Sequence, residues 1–279
     1  MPRSQREKSE AFVALHARPG AFVIPNPFDA GTARILEAMG FEALTTTSAG
    51  LAFTLGRRDG EGRVTRAETL AHARAIVEAT SLPVAADLEN GYGDGPDDVA
   101  TTIREAAAVG LVGGSIEDTT GDPRRPIYDR AHAAERMVAA SEAARSLPFR
   151  FVLVGRADGL RFGGDLADVI ARLQAYEAAG ADVLFAPGLT STNDIRSVCA
   201  SVGKPVNMVM GFLKVQGPPL SLAALAALGV KRVSVGSALS RVALGAFMQA
   251  ARELHDQGTF DFTEHALPMR EAQDMFAPR

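Results

Sequence analysis

One cysteine, Cys199, stands in a chain of 279 residues. It excludes an intramolecular disulfide and fits a reducing, cytoplasmic setting. Long hydrophobic runs are also missing. None approaches the roughly 18 apolar residues of a membrane span, so no membrane partner is expected. The start, "MPRSQREKSEAFVALHARPG", is charged and has no apolar h-region, which argues against a secretory signal and predicts a surface helix. A basic excess is lacking too. Lys plus Arg number 29 against 33 Asp plus Glu, a net charge of −4, which leaves no electrostatic case for nucleic acid. Histidine is scarce, with five residues. His16, His72, His132, His255 and His265 fall on helical stretches or in the tail and read as surface or core groups. Cys199, inside "NDIRSVCASVG", reads as a buried helix residue. What is present is ordinary globular composition, 47% hydrophobic and 22% charged, in a chain long enough to bury a substantial core.

Eight short apolar runs punctuate the chain: 21–25, 41–47, 82–88, 113–118, 149–156, 181–187, 205–210 and 230–236. They are nearly continuous hydrophobics, as parallel strands buried on both faces are. Between them lie stretches with apolar residues at helical spacing, among them 67–80, 96–110, 165–180 and 220–229. Gly40, Gly110, Gly180 and Gly229 end such stretches and suit left-handed C-caps. Eight strand–helix units predict an α/β fold, a (β/α)8 TIM barrel, over an open doubly wound sheet, which would also alternate. No linker divides the chain. A single barrel domain over 1–279 is expected, with 259–279 as a C-terminal helical extension too long for a simple barrel ending.

Barrels of this kind place chemistry at the C-terminal strand ends. The second run leads to Ser48, Gly50 and Asp59, the third to Asp87 and Glu89, the fourth to Glu117 and Asp118. The fifth ends in Arg156 and Asp158, and the seventh carries Asn207. Carboxylates converging on one rim repel unless a cation sits among them. Oxygen donors without His or Cys select Mg²⁺, or Mn²⁺, over zinc, and Mg²⁺ keeps waters beside one or two direct carboxylates. Arg156 suits a substrate carboxylate or phosphonate. Asp158 reads as a group that orients its neighbours, Asp118 equally as a loop cap, and Asp94, Asp97 and Asp98 as partners of a helix N-terminus. "VGSA" at 235–238 offers a phosphate cradle or merely a tight turn.

The set "TTSAGLA" (46–52), Asp59 in "GRRDG", "ADLENGYG" (86–93), "GGSIED" (113–118), "GRAD" (155–158) and "YEAAGADVLFAP" (176–187) resembles the isocitrate lyase/phosphoenolpyruvate mutase superfamily over about residues 10–255. The resemblance implies that Ser48, Ala49, Gly50 and Leu51 form the loop that cradles a substrate carboxylate or enolate. It implies a Mg²⁺ shell of Asp59, Asp87, Glu89 and Glu117, with Asp87 the direct ligand and the others partly through water. It makes Arg156, Asp59 and Glu117 the catalytic set, and Asp87, Arg156 and Asn207 substrate contacts. It also implies a terminal helix exchanged between subunits of a homodimer or homotetramer.

The chain departs from the pattern at two places. The citrate-type lyases carry a K-x-C-G-H-type gating loop whose cysteine supplies a proton. Here the loop reads "TTGDPRRPIYD" (119–129), with Thr119, Asp122, Arg124, Arg125 and Tyr128 but no cysteine or histidine. The phosphonate members use a histidine after the sixth strand, where this chain has "FAPG". What remains is a metal and an oxyanion loop suited to a pyruvate-type enolate. The resemblance implies a Mg²⁺-dependent lyase, oxaloacetate decarboxylase-like or methylisocitrate lyase-like, acting on a small 2-oxo or dicarboxylic acid. A phosphonate mutase or hydrolase is the alternative, and a non-catalytic keto-acid-binding barrel a third. Tyr92, Asp122, Arg124, Arg125 and Tyr128 are the candidate proton donors.

Overall fold

The computed structural model describes residues 3–277. All eight expected strands form: β1 (Phe22–Val23), β2 (Leu44–Thr45), β3 (Val84–Asp87), β4 (Gly113–Glu117), β5 (Val152–Arg156), β6 (Val183–Phe185), β7 (Val206–Val209) and β8 (Val230–Ser234). Every pairing is parallel, in the order β1-β8-β7-β6-β5-β4-β3-β2. The two ends of that order meet where Thr45 N donates to Pro25 O at 3.1 Å. The sheet therefore curls as a TIM-type barrel does. The glycines after the helices, Gly40, Gly110, Gly180 and Gly229, all have φ between 87° and 102°, as left-handed caps require.

Strand parity fixes what faces inward. Ala85, Val152, Val154 and Val183 pack in an inner cluster with Phe22, Ile24 and Val112. Asp87, Arg156 and Phe185, each two residues further along a strand, face the same interior one layer higher. That alternation turns an apolar lower barrel into a polar upper one.

The N-terminal segment is not the surface helix its charge predicts. The helix Gln5–Ala17 places Phe12, fully buried, and Leu15 in the inner cluster, closing the lower end of the barrel. Its polar residues are tied down as well. Lys8 Nζ donates to Thr80 O at 2.8 Å, and Gln5 reaches the carbonyls of Ala107 and Leu111. Ser4 opens the helix with a capping box to Glu7.

At the other terminus the helix Ala238–Asp256 buries only Ser240, while Val242 and Phe247 are each 70% exposed. The helix Met269–Met275 and Phe276 return to the helix Ala30–Ala38 of the same chain. There Arg34 lies 5.7 Å from the Phe276 ring and donates to Ala277 O at 2.6 Å. Pro278 and Arg279, the end of the expected extension, lie outside the described residues. No helix among the described residues is long and apolar enough to cross a membrane.

Candidate active site

A cavity of about 340 Å³ opens at the C-terminal ends of the strands. Asp59, Asp87, Glu89 and Glu117 line it, with Arg156, Asn207, Ser48 and Ala49. The backbone explains their aim. Asp87 and Glu117 end strands whose inward positions precede them by two. Glu89 is turned inward by a left-handed conformation, φ 48°, unusual for a residue with a side chain. Tyr92 shares it at φ 60°, and Gly91 between them adopts φ 83° without penalty. Arg136, buried beneath, donates to the carbonyls of Asn90, Gly93 and Asp94 and clamps this strained turn shut.

Arg156 is the hub. Its Nη1 lies 2.9 Å from Glu117 Oε2 and 3.6 Å from Asp87 Oδ1, and its Nε lies 2.6 Å from Asp158 Oδ2. Burial opposes its charge, but Asp158, Glu117 and Asp87 outweigh that and hold it above the ordinary arginine range. The guanidinium is thus already engaged by acids, and its flank sits 5.3 Å from the Phe185 ring centre. Asp158, fully buried, orients it as the sequence suggests, and binds Arg161 Nη1 at 2.6 Å as well. Asp118 proves to be a loop cap. It accepts from Asp158 N at 2.8 Å, from Tyr176 Oη at 2.7 Å and from Arg172 Nη1 at 3.2 Å.

The acids on the rim burden one another. Burial and then the Asp87 charge raise Asp59, and burial with Asp87 and Asp59 pushes Glu89 up to about 7. Glu117 is raised by burial, with Arg156 opposing, and Thr119 Oγ1 donates to its Oε1 at 2.5 Å. Among the described residues no three His, Cys, Asp or Glu side chains close into a direct metal cluster. The donor set nonetheless fits Mg²⁺ or Mn²⁺, which take one or two direct carboxylates and reach others through water. Four oxygen-donor side chains sharing a cavity, with Asp59, Glu89 and Glu117 all raised in proton affinity by burial and by the Asp87 charge, are the observation behind that fit.

Ser48 and Ala49 line the cavity, and Ser48 N donates to Asp87 Oδ2 at 3.3 Å. The expected cradling loop is in fact the first turn of a short helix, Ser48–Thr54. Gly50 N and Leu51 N donate within that helix cap, to Thr47 Oγ1 and Thr47 O, and both residues are buried behind the cavity wall. The amides of Val235 and Gly236, in the phosphate-cradle motif, donate to Asn26 Oδ1 at 2.9 Å each. Asn207, 1% exposed, donates to Ser234 Oγ at 3.1 Å while its Oδ1 has no protein partner.

The loop 119–129 is a small hairpin whose charges pair with each other. Asp122 holds Arg124 at 3.0 Å, Arg125 holds Asp129 at 2.5 Å, and Tyr128 donates to Asp94. Asp122, Arg124, Arg125 and Tyr128 do not line the cavity; Thr119 touches it through Glu117. Tyr92 lies behind Glu89, donating to Thr69 Oγ1 at 2.7 Å, with Glu89 Oε1 at 3.4 Å. No histidine lines the cavity among the described residues. Cys199 is half-buried on the helix Thr192–Ser201, and burial pushes its thiol up to about 11. Sequence reasoning missed Arg161, Phe185, Phe212, Arg232 and Arg241, which also line the cavity. For Arg232 a signal existed: a charge at an inward parity position of "VKRVSVG".

Comparison with known proteins agrees with this geometry. The family model for phosphoenolpyruvate phosphomutase matches residues 12–255. A crystal structure from Burkholderia cenocepacia J2315, described without further commitment as a lyase/mutase, superposes with a TM-score of 0.94. It is 57% identical and covers 98% of this chain and 97% of that one. A probable 2-methylisocitrate lyase 1 of Corynebacterium glutamicum is 30% identical over 259 residues, covering 90% of this chain and 83% of its own. An oxaloacetate decarboxylase of Bradyrhizobium sp. is 33% identical over 214 residues, covering 75% and 70%. With strand-end acids, barrel topology and family model in agreement, the chain belongs to the phosphoenolpyruvate mutase/isocitrate lyase superfamily of lyases and mutases.

Proposed function

We propose that this protein is a Mg²⁺-dependent lyase that cleaves the carbon–carbon bond beside a 2-oxo or 2-hydroxy carboxylate through a pyruvate-type enolate. The observation that carries this reading is the set of four carboxylates, Asp59, Asp87, Glu89 and Glu117, that share the cavity at the C-terminal rim with Arg156, which contacts two of them. Asp87 would hold the cation directly, and Asp59, Glu89 and Glu117 would hold it through water. When bound, the cation supplies Lewis-acid polarisation of the substrate's oxygen.

The chain's own residues do the remainder. Arg156 spaces Glu117 and Asp87 and offsets part of their negative charge beside the reacting centre. Ser48 and Ala49 border the carboxylate end of the substrate, and Asn207 Oδ1 stays free to accept from a substrate hydroxyl. Glu117 and Glu89, raised toward neutrality, have the proton affinity that acid–base exchange requires. In a retro-aldol cleavage one of them takes the hydroxyl proton as the C–C bond breaks, and the enolate carbon is protonated afterwards. In a decarboxylation carbon dioxide leaves and only that last protonation is needed. The exposed apolar face of the helix Ala238–Asp256 supports exchange of this helix between subunits of one-domain barrels.

The test is a panel of oxaloacetate, methylisocitrate, dimethylmalate and phosphonopyruvate, each with Mg²⁺ and with chelator, read as pyruvate release. Mg²⁺-dependent pyruvate from a carbon substrate is expected. Release from phosphonopyruvate alone would move the reading to P–C chemistry, and no release from any substrate would sink the lyase reading.

A further inference from the structure

Arg232 lies on β8 inside the barrel, 4% exposed, at the inner end of the cavity. Its backbone register places it beside Asn207 on one side and Phe22 on the other. Its Nε and Nη1 are buried with no hydrogen-bond partner among the described residues, and so is Asn207 Oδ1 in the same cavity. The other cations of the cavity wall are engaged. Arg156 and Arg161 are bound by carboxylates, and Arg241 donates to Gly211 O. Among the described residues no acid pairs with Arg232. Burial alone lowers its proton affinity, to about 10, so it is charged at neutral pH. His16 feels its charge: it is mostly buried, and its proton affinity is driven down to about 4 by burial and then by Arg232.

A buried, unpaired guanidinium is costly to a fold. Where such a group lines a cavity, its partner comes from what enters the cavity. We propose that Arg232 is a specificity-determining residue that binds the second carboxylate of a dicarboxylic substrate, the one remote from the metal-binding rim. The proposal rests on the reading of the rim as the reacting centre, and it deepens that reading: the substrate class is dianionic. The rim acids are repulsive to a bare anion, so one end of the substrate needs the cation there. The other end finds its charge partner at the opposite pole of the same cavity. Arg156, ion-paired with Asp158, Glu117 and Asp87, leaves that role open. An arginine fork facing an apolar lower barrel binds a carboxylate in water-poor surroundings, where such a pair is strongest.

The experiment uses the full-length protein loaded with Mg²⁺ and two binding probes, lactate and malate, which differ by one carboxylate. Calorimetry on the wild type is expected to show malate bound about 10- to 100-fold more tightly than lactate. In R232M lactate affinity is unchanged and the preference for malate is lost. R232K keeps the charge without the fork and retains part of the preference, which preserves the test should R232M fold poorly. The melting temperature of the probe-free protein separates the roles further. R232M is expected to match or exceed the wild type, whereas a purely structural arginine gives a loss that malate does not affect. Equal binding of lactate and malate by the wild type, or an undiminished malate preference in R232M, overturns the proposal. Because binding is the readout, absence of pyruvate in the substrate panel would refute the lyase reading while leaving this result to stand.

Discussion

The two ends of the barrel are built from the same strands and solve opposite problems. At the lower end Phe12, Phe22, Ile24, Val152 and Val183 fill the interior, capped by the helix Gln5–Ala17. At the upper end, two residues after the inner-cluster positions Ala85 and Val154, the strands present Asp87 and Arg156 to an open cavity, with Glu117 beside them. The lower end is stabilised by removing apolar surface from water. The upper end concentrates like charge and is relieved by Arg156 and, on the present reading, by a divalent cation. Stability and function are thus separated along the strand by one period of the pleat, and substitutions at the two ends should have unlike signatures.

The largest separation is expected from Asp87→Ala. Turnover should fall by at least about 100-fold, the scale seen when support for a metal site is lost. The metal-free melting temperature should hold or rise, because a repelling charge is gone; a lowered melting temperature would make Asp87 a structural residue. Phe12→Ala should show the reverse: about 3–5 kcal/mol of stability lost to a core cavity in denaturant unfolding, with Mg²⁺ affinity kept at temperatures where the protein is folded. A Phe12→Ala protein that unfolds like the wild type would remove the helix Gln5–Ala17 from its role as a plug.

The ends should also answer pH with opposite signs. Glu89 is raised from the usual carboxylate value to about 7, so the folded state holds its proton more tightly than the unfolded state. Its contribution to stability is present at acid pH and lost as pH rises through about 7. Mg²⁺ competes with that proton, so the rise in melting temperature on adding Mg²⁺ should be larger at pH 8 than at pH 6. His16 is lowered to about 4 by burial, so its contribution is present above about 6.5 and lost as pH falls toward 4. Glu89→Gln should flatten the alkaline limb of metal-free stability; an unchanged limb would show that Glu89 does not bear the repulsion assigned to it. The smallest effect is expected at the loop 119–129. Arg124 and Arg125 are paired only with exposed neighbours, so replacing both with Ala should leave the melting temperature unchanged and turnover within about twofold. A larger loss of turnover would show that the loop closes over the substrate.

Much of the upper end was legible in the chain because strand ends mark themselves: an apolar run stops and an acid follows, as at Asp87 and Glu117. The eight strands were legible for the same reason, since buried parallel strands leave near-continuous hydrophobic runs. The lower end was not. Phe12 and Leu15 follow directly on the charged stretch of Arg6, Glu7, Lys8 and Glu10, and only tertiary packing reveals which face of that helix turns inward. The state of the loop arginines was not legible, because only the fold shows that Asp122 and Asp129 pair with them. Gly50 and Leu51 matched a motif, yet their amides are used by the Thr47 cap. Arg232 required the parity of a strand and the absence of a partner, and a missing partner is a property of three dimensions.

The central claim is that the acids of the upper rim hold a divalent cation through Asp87. Calorimetric titration of Mg²⁺ into chelator-stripped protein, wild type beside Asp87→Ala, tests it most directly. One saturable cation per wild-type chain, weakened at least about 100-fold by Asp87→Ala, is the predicted result. Equal Mg²⁺ affinity in the two proteins would contradict it.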